Sequence, residues 1–319
     1  MGTAQAVRRS ARPTFADRFK KGVHKRAIGW QLYLMILPAL VYIIIFVYKP
    51  MYGVLIAFKS FQMRAGILGS PWCGVDNFVR LFQSSWFPII LKNTLLISVL
   101  SLVLGFPLPI VLALMLNEVP HEGTKRTIQT ISYAPHFIST VVMCGMLMLF
   151  LSPTSGVINR LIELCGGKAV QFMQYPQYFK WVYVISGIWQ GVGWNSIIYF
   201  AALSGVDKSL LEAADIDGAS RMQKIWYINL PVLVPTIVTL LILQCGSLLS
   251  VGYEKVYLLQ TDTNLKGSEV ISTYVYKVGL EQADFSFSTA VNIFNSVVNS
   301  TILILTNTLS NRVGKVGLW

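Results

Sequence analysis

The chain has 319 residues, of which 54% are hydrophobic and only 13% are charged. Soluble domains carry about 25% charged residues, so this composition excludes a soluble globular protein and indicates a polytopic membrane protein. The net charge of +12 would suggest nucleic acid as the partner of a soluble chain, but in a membrane protein the distribution of Lys and Arg matters more than their sum.

Residues 1–30 form a basic segment that contains eight Lys and Arg residues and a single acid. Phe15, Phe19 and Val23 recur at i, i+4 and i+8, a spacing typical of a short interfacial helix on anionic lipid. A disordered basic tail is the alternative, and it is the interpretation we favour for residues 1–12.

Six apolar runs follow, and none of them contains Asp, Glu, Lys or Arg. Each run is long enough to cross a hydrocarbon core of about 30 Å as a helix. The first run is too long for the apolar region of a signal peptide, so we expect an uncleaved span. Residues 31–319 are therefore predicted to form one all-α domain of six transmembrane helices. The predicted spans are residues 31–48, 93–116, 130–151, 181–203, 231–251 and 286–309.

The basic residues predict the orientation of these spans. The side that holds both termini carries 15 Lys and Arg in short, dense segments, and the opposite side carries the other 11 in longer loops. Short basic segments stay inside, so we predict that both termini and the loop 207–230 are cytoplasmic. The 11 outer basic residues exceed the seven outer acids by four, which indicates either attraction of an anionic partner or anchoring of helix ends at the headgroups.

The loop 207–230 is predicted to form two short helices at a sharp angle. Ser209 and Ser220 each lie three residues before a Glu or Gln, which is the spacing of a capping box at a helix start. Gly218 between them follows Asp and marks a turn. Pro231 is expected to end the second helix and can open the next one.

This loop resembles the EAA loop of the permease subunits of binding-protein-dependent ABC importers. The matching positions are Glu212, Ala213, Ala214, Asp217, Gly218, Ala219, Ile228, Leu230 and Pro231. In that family the loop forms coupling helices that sit in a groove on a cytoplasmic ATPase. The resemblance therefore implies a type I importer permease fold. It also implies that the matching residues from Glu212 to Ala219, together with Ile225 and Trp226, couple the permease to the ATPase. A hairpin that only links two spans is the alternative.

Further stretches narrow the resemblance. Residues 66–82, with the pattern GxxGSPWxGxxNF, resemble the segment after the first span of sugar-importing permeases. Residues 129–137 and the terminal Gly-Leu-Trp resemble the LplB-like subgroup, which is associated with oligosaccharide and polysaccharide-fragment uptake. The resemblance implies a second homologous permease subunit, two cytoplasmic ATPase subunits that carry ATP and Mg, and an extracytoplasmic sugar-binding protein. It also implies location in the bacterial plasma membrane.

Uncharged polar and aromatic residues in the last three spans are the candidates for a sugar pathway. Amides can exchange hydrogen bonds with sugar hydroxyls, and aromatic faces can stack on pyranose rings. The candidates are Trp189, Gln190, Trp194, Asn195, Tyr199, Gln244, Asn292, Asn295 and Asn299. Packing between helices, where such groups hydrogen-bond for about 1 kcal/mol, is the alternative for each.

The same sequence argues against catalysis, metal binding and nucleotide binding in this chain. The four cysteines lack CxxC spacing, the three histidines are scattered, and no GxxxxGK[ST] motif occurs. Cys73 and Cys165 fall in outer loops, where a disulfide and free thiols are both open. We therefore expect a transport subunit without catalytic residues, metal or cofactor. A stand-alone channel, an ion-coupled carrier and an ABC permease for a non-sugar solute are the alternatives, although spans without charge disfavour ion coupling.

Overall fold

The computed structural model describes residues 30–314 and 317–318, so the predicted interfacial residues Phe15, Phe19 and Val23 lie outside the described residues. The regular elements among the described residues are all helical and form no sheet, which confirms the all-α prediction. The four cysteines are free thiols, so no disulfide links Cys73 to Cys165 in this structure.

The chain divides into two compact units, Met1–Leu55 and Ile56–Trp319. The described part of the first unit is helical throughout and includes a π-helical turn at Ile44–Tyr48, which ends two residues before Pro50. Proline has no N–H to donate, and a local change of helical register is a common way to accommodate it.

The helices are numbered here in chain order. They are α1 (Trp30–Phe58), α2 (Gly66–Gly69), α3 (Asp76–Gln83), α4 (Phe87–Asn117), α5 (Glu122–Phe137), α6 (Thr140–Phe150), α7 (Val157–Leu164), α8 (Pro176–Leu203), α9 (Lys208–Ile216), α10 (Arg221–Cys245), α11 (Tyr253–Leu259), α12 (Leu265–Ser268), α13 (Ile271–Tyr276) and α14 (Phe285–Gly314). A π-helical turn, Lys277–Glu281, follows α13.

Within the described residues, four helices are long and apolar enough to cross a membrane: α1, α4, α10 and α14. A fifth candidate is α5 together with α6, which pass the same criteria as a pair. Helix α8 has the necessary length, at 28 residues. Its mean hydropathy is lower than that of the four helices above, because it contains several Trp, Gln, Asn and Gly residues.

The predicted span 130–151 is not one straight helix, because α5 and α6 meet at 97°. A 3₁₀ turn at Ala134–Phe137 ends α5, and Pro135 lies within it. Ser139 then begins α6, since its side chain accepts a hydrogen bond from the N–H of Val142. Pro135 and Ser139 are visible in the sequence. The bend that they produce was not predicted, because the apolar run continues across both residues.

The predicted span 231–251 is also shifted, because α10 begins at Arg221 and ends at Cys245. Pro231 does not end the second loop helix as expected. A π-helical turn, Ile225–Asn229, lies just before it, and the N–H of Leu230 bonds to the carbonyl of Ile225. This change of register carries the helix past the proline without a break, so the second loop helix is the start of a long helix.

Buried apolar side chains form three clusters within residues 56–319. The first joins α3, α4, α13 and α14 around Phe287, and the second joins α4, α6, α8 and α11 around Phe179. The third joins α4, α8 and α10, with Tyr199 and Leu233 at its centre. This third cluster holds α4, α8 and α10 together around a cavity that is described below.

A buried ion pair organises the segment that follows α11. The carboxylate of Glu269 is only 3% exposed, and its Oε2 lies 2.6 Å from Nζ of Lys277. The same ammonium donates to Oε1 of Gln260 at 2.9 Å. Because a buried charge is costly unless it is paired, these contacts hold residues 260–277 in one arrangement.

Candidate functional site

A cavity of about 820 Å³ is bounded by α4, α8 and α10, and it is lined in part by Trp194, Asn195, Tyr199 and Gln244. Two smaller cavities, of about 180 and 220 Å³, adjoin it and share Gln244 with it. We call these three cavities together the hollow. The structure therefore brings four of the predicted pathway residues to one place.

Uncharged polar side chains lie among the largely apolar residues that line the hollow. The amides of Asn195 and Gln244 are exposed, and within residues 30–314 neither makes a hydrogen bond to another protein group. Hydroxyls of Ser98, Ser101 and Ser247 lie among the lining residues. The Ser247 hydroxyl donates to the Gln244 carbonyl and keeps its acceptor sites. Amides and hydroxyls can exchange hydrogen bonds with a hydroxylated solute, so this surface suits a sugar.

Aromatic rings add a flat surface at the same place. Trp194 stacks on His136, with ring centroids 4.4 Å apart and planes inclined by 4°. Tyr199 is only 3% exposed and packs edge-on against Phe106. Because Trp194 keeps 42% of its surface exposed, it offers a ring face to a ligand, whereas Tyr199 mainly shapes the wall.

Two predicted pathway residues of α8 lie elsewhere. Trp189 lines a separate apolar groove of about 550 Å³ together with Met143 and Trp181. Nε2 of Gln190 donates to the carbonyl of Ile138 at 2.9 Å, and so satisfies a backbone oxygen freed by the bend between α5 and α6. In this structure the Gln190 side chain therefore joins α8 to the bend between α5 and α6, which agrees with the alternative of packing between helices.

The asparagines of α14 are not among the residues that line the hollow. Oδ1 of Asn299 accepts from the N–H of Leu249 at 2.9 Å, and its Nδ2 donates to Oγ of Ser250 at 3.0 Å. Asn292 is exposed, and Oδ1 of Asn295 is buried without a partner among the described residues. Asn299 therefore stabilises the turn after α10, as the alternative of packing between helices predicted.

The loop 207–230 contains the turn that the sequence predicted, with one capping box instead of two. The Ser220 box is confirmed: Oε1 of Gln223 accepts from the Ser220 N–H at 2.7 Å, and Oγ of Ser220 accepts from the Gln223 N–H. The Ser209 box is absent, because Asp207 caps α9 by accepting from the Ser209 N–H at 2.9 Å. Gly218 has φ of +74°, as its predicted turn requires.

The loop also presents an exposed apolar surface. Ile216 and Trp226 are 87% and 60% exposed, and Leu210, Met222 and Tyr227 are exposed as well. The residues with a predicted coupling role lie on this loop or at the start of α10: Glu212, Ala213, Ala214, Asp217, Gly218, Ala219, Ile225 and Trp226. A group of exposed apolar side chains of this kind is typical of a surface that docks a partner.

An ion pair fixes the relation between the two helices of the loop. Nζ of Lys224, on α10, lies 2.6 Å from Oδ1 of Asp215, on α9. The side chain of Glu212 is exposed and makes no hydrogen bond within the described residues, so it does not cap α9 as its spacing suggested. It is free to meet a partner.

The sequence interpretation missed one residue beside the hollow. Lys255 lies on α11, in a segment predicted to be an outer loop, yet its Nζ donates to the carbonyl of Tyr183 on α8 at 3.1 Å. The apolar residues around Lys255, such as Val256 and Leu259, signal a buried helix face, but seven residues are too few to reveal where that face packs.

Residues 105–314 match the family described as binding-protein-dependent transport system inner membrane component. The polygalacturonan/rhamnogalacturonan transport system permease protein YteP of Bacillus subtilis (strain 168) is 43% identical over 306 residues, which cover 94% of this chain and 95% of YteP. Protein LplB of the same strain is 41% identical over 288 residues, which cover 90% of this chain and 91% of LplB. A chain in the crystal structure of a bacterial alginate ABC transporter, in complex with alginate pentasaccharide-bound periplasmic protein, matches with a TM-score of 0.84 and 43% identity, covering 92% of this chain and 99% of that one.

Proposed function

Because the chain belongs to the family of inner membrane components of binding-protein-dependent transport systems, we propose that it is the permease subunit of an ATP-driven ABC importer for oligosaccharides or polysaccharide fragments. The relatives support the substrate class, since YteP is named for polygalacturonan and rhamnogalacturonan and the structural match is an alginate transporter. Both kinds of polymer contain uronic acids. We extend that class to this chain and propose an acidic oligosaccharide as its substrate.

The continuity of α10 is the observation that carries the proposal. Its first turns contain Trp226 and Lys224 of the exposed loop, and its last turn contains Gln244 of the hollow. A displacement of the loop is therefore transmitted to the hollow by one helix. The arrangement fits a protein whose cytoplasmic surface receives mechanical work and whose polar cavity holds the solute.

We place six spans in the membrane: α1, α4, α5 with α6, α8, α10 and α14. Helix α8 has 28 residues, about 42 Å at 1.5 Å per residue, so it can cross the bilayer although its hydropathy is lower. Both termini and residues 207–230 are cytoplasmic in this topology, because the dense basic segments fall on that side. The membrane is the inner membrane of a bacterium.

The proposal assigns four partners to the chain. Two ATPase subunits supply ATP and Mg, since this chain has no P-loop, and one of them docks on the loop surface around Ile216 and Trp226. A homologous permease forms the other half of the pathway, and an extracytoplasmic binding protein delivers the sugar. No carboxylate lines the hollow, which disfavours a cation-coupled carrier.

Co-purification from detergent tests the ATPase assignment. We expect Ile216→Glu and Trp226→Glu to reduce the recovered ATPase and its stimulation by the binding protein, because a new charge replaces a side chain that docks. The matched control is Leu164→Glu, since Leu164 is 79% exposed but lies on the predicted outer side. Sugar uptake by the chain without ATP, or equal recovery of ATPase with all three variants, would overturn the proposal.

A further inference from the structure

Lys255 holds its ammonium against two residues in the wall of the hollow. Its Nζ lies 4.8 Å from the ring centroid of Tyr183 and donates to the carbonyl of the same residue. A Cβ added to Gly187 would lie 3.5 Å from this Nζ, so the ammonium sits beside Gly187 as well.

Lys255 itself is not a lining residue of the three cavities, but these two neighbours are, so its ammonium lies directly behind the wall that they form. Tyr183 and Gly187 line the 220 Å³ cavity of the hollow together with Ser101, Asn195 and Gln244. They lie about 11 and 17 Å along α8 from its first residue, at 1.5 Å per residue. Both positions fall within the predicted span 181–203, so the cation borders the hollow at the depth of the apolar run.

The ammonium has no carboxylate partner. None of the ion pairs among residues 30–314 includes Lys255, whereas Lys277 in the next segment is paired with Glu269. Burial lowers the pKa of Lys255 to about 8, so the protonated form still predominates at neutral pH. A half-buried cation without a counter-ion is expensive, and in a transport protein such a group marks the path of an ion or charged solute.

We propose that Lys255 selects the charge of the substrate by receiving the carboxylate of a uronic acid unit in the hollow. One N–H of the ammonium keeps its bond to the Tyr183 carbonyl, which leaves two donors for the carboxylate. The amides of Asn195 and Gln244 take the sugar hydroxyls. This inference rests on the proposed function and assigns the acidic substrate to one residue rather than to the surface charge.

Uptake by the complete transporter in proteoliposomes, with its binding protein and an oligogalacturonate as probe, tests the proposal. We expect Lys255→Met to lower uptake about tenfold or more, since hydrogen bonds to charged groups contribute about 1.5–3 kcal/mol. Lys255→Arg keeps the charge and is expected to retain about half of the uptake or more. Lys266→Met is the matched control, because Lys266 is exposed on α12 and its loss removes the same charge from the outer side.

ATP hydrolysis stimulated by the loaded binding protein separates this role from a structural one. It should stay within about twofold of the unmodified transporter in Lys255→Met, since docking and coupling do not use this side chain. The proposal is overturned if uptake by this variant is unchanged, or if uptake and stimulated hydrolysis fall together. Lys255→Gln gives the same decision if the methionine variant does not assemble.

Two results with the unmodified transporter separate this inference from the proposed function. Preference for a neutral oligosaccharide of equal length overturns the role of Lys255 and leaves the importer proposal intact. Absence of both uptake and stimulated ATP hydrolysis overturns the importer proposal itself.

Discussion

Two glycines exclude larger side chains for different physical reasons. Gly218 has open space around it, but its φ of +74° disfavours residues with a Cβ. Gly193 has an ordinary helical backbone, but an added Cβ would lie 2.0 Å from the carbonyl oxygen of Ser132. The first position is therefore restricted by conformation and the second by volume.

We expect Gly218→Val to impair ATPase coupling and Gly218→Asn to preserve most of it. The left-handed conformation costs an ordinary residue about 1–2 kcal/mol and a β-branched one more, whereas Asn adopts it readily. Stimulated ATP hydrolysis measured on both variants decides the matter. If the valine variant equals the asparagine variant, the turn at Gly218 does not position the loop.

We expect Gly193→Ala to lower the melting temperature in detergent and Gly145→Ala to leave it unchanged or raise it. The first variant forces α8 away from Ser132, and overpacking of this kind costs about 1–3 kcal/mol. Gly145 on α6 has nothing within 4 Å of its added Cβ, so the second gains helix propensity alone. Equal melting temperatures would show that the contact between Gly193 and Ser132 is loose.

Between elements, the contacts of single polar side chains decide where helices end and loops pack. Asn299 of α14 satisfies backbone and hydroxyl groups just beyond the end of α10. The pair of Glu269 and Lys277 performs the corresponding task in the segment after α11. Both contacts join parts of the chain that are distant in sequence or lie across a turn, so they act on tertiary structure.

Replacing Asn299 by Leu should destabilise the protein without altering its sugar preference. The substitution leaves the buried N–H of Leu249 without its acceptor, at a cost of about 1–3 kcal/mol. Asn292→Leu, on the same helix but at an exposed position, should change stability little. Thermal unfolding and competition uptake check both variants, and an altered sugar preference with unchanged stability would restore the pathway role of Asn299.

Replacing Lys277 by Met should strongly destabilise the segment 260–277. Glu269 is then left as a buried, unpaired carboxylate, for which about 3–5 kcal/mol is typical. Combining it with Glu269→Gln removes the stranded charge and should restore most of the loss. Limited proteolysis and thermal unfolding of the single and double variants provide the measurement; a double variant no more stable than the single one would contradict this account.

At the scale of the whole molecule, the sequence predicted the helical class and the loop turn because both depend on short-range patterns. Runs without charge identify spans, and Asp-Gly identifies the turn at Gly218. The bend between α5 and α6 and the passage of α10 through Pro231 were missed because periodicity does not show how the backbone resolves a proline. Lys255 was missed for another reason: its surroundings come from α8, about 70 positions earlier in the chain.

Of the residues predicted to line a sugar pathway, some lie at the hollow and others contact the protein itself. Trp194, Asn195 and Gln244 share the hollow because α8 and α10 pack side by side, a relation that no single helix encodes. Asn299 has the same amide chemistry, but it meets the turn after α10 instead of the cavity. Side-chain chemistry thus indicates what a residue can bind, and tertiary packing decides whether a ligand or the protein receives it.

The unbroken course of α10 has a mechanical consequence. From Arg221 to Gln244 the helix is about 34 Å long at 1.5 Å per residue, so it acts as a lever arm. A tilt of about 1° around its Arg221 end moves the Gln244 amide by about 0.6 Å. The π-helical turn and Pro235 interrupt the regular backbone hydrogen bonding in the half of α10 nearer Arg221, so bending concentrates there. In the importer that we propose, a few degrees of tilt driven by the ATPase would take this amide out of reach of a sugar hydroxyl, so movement of the loop and release of the solute would be mechanically linked.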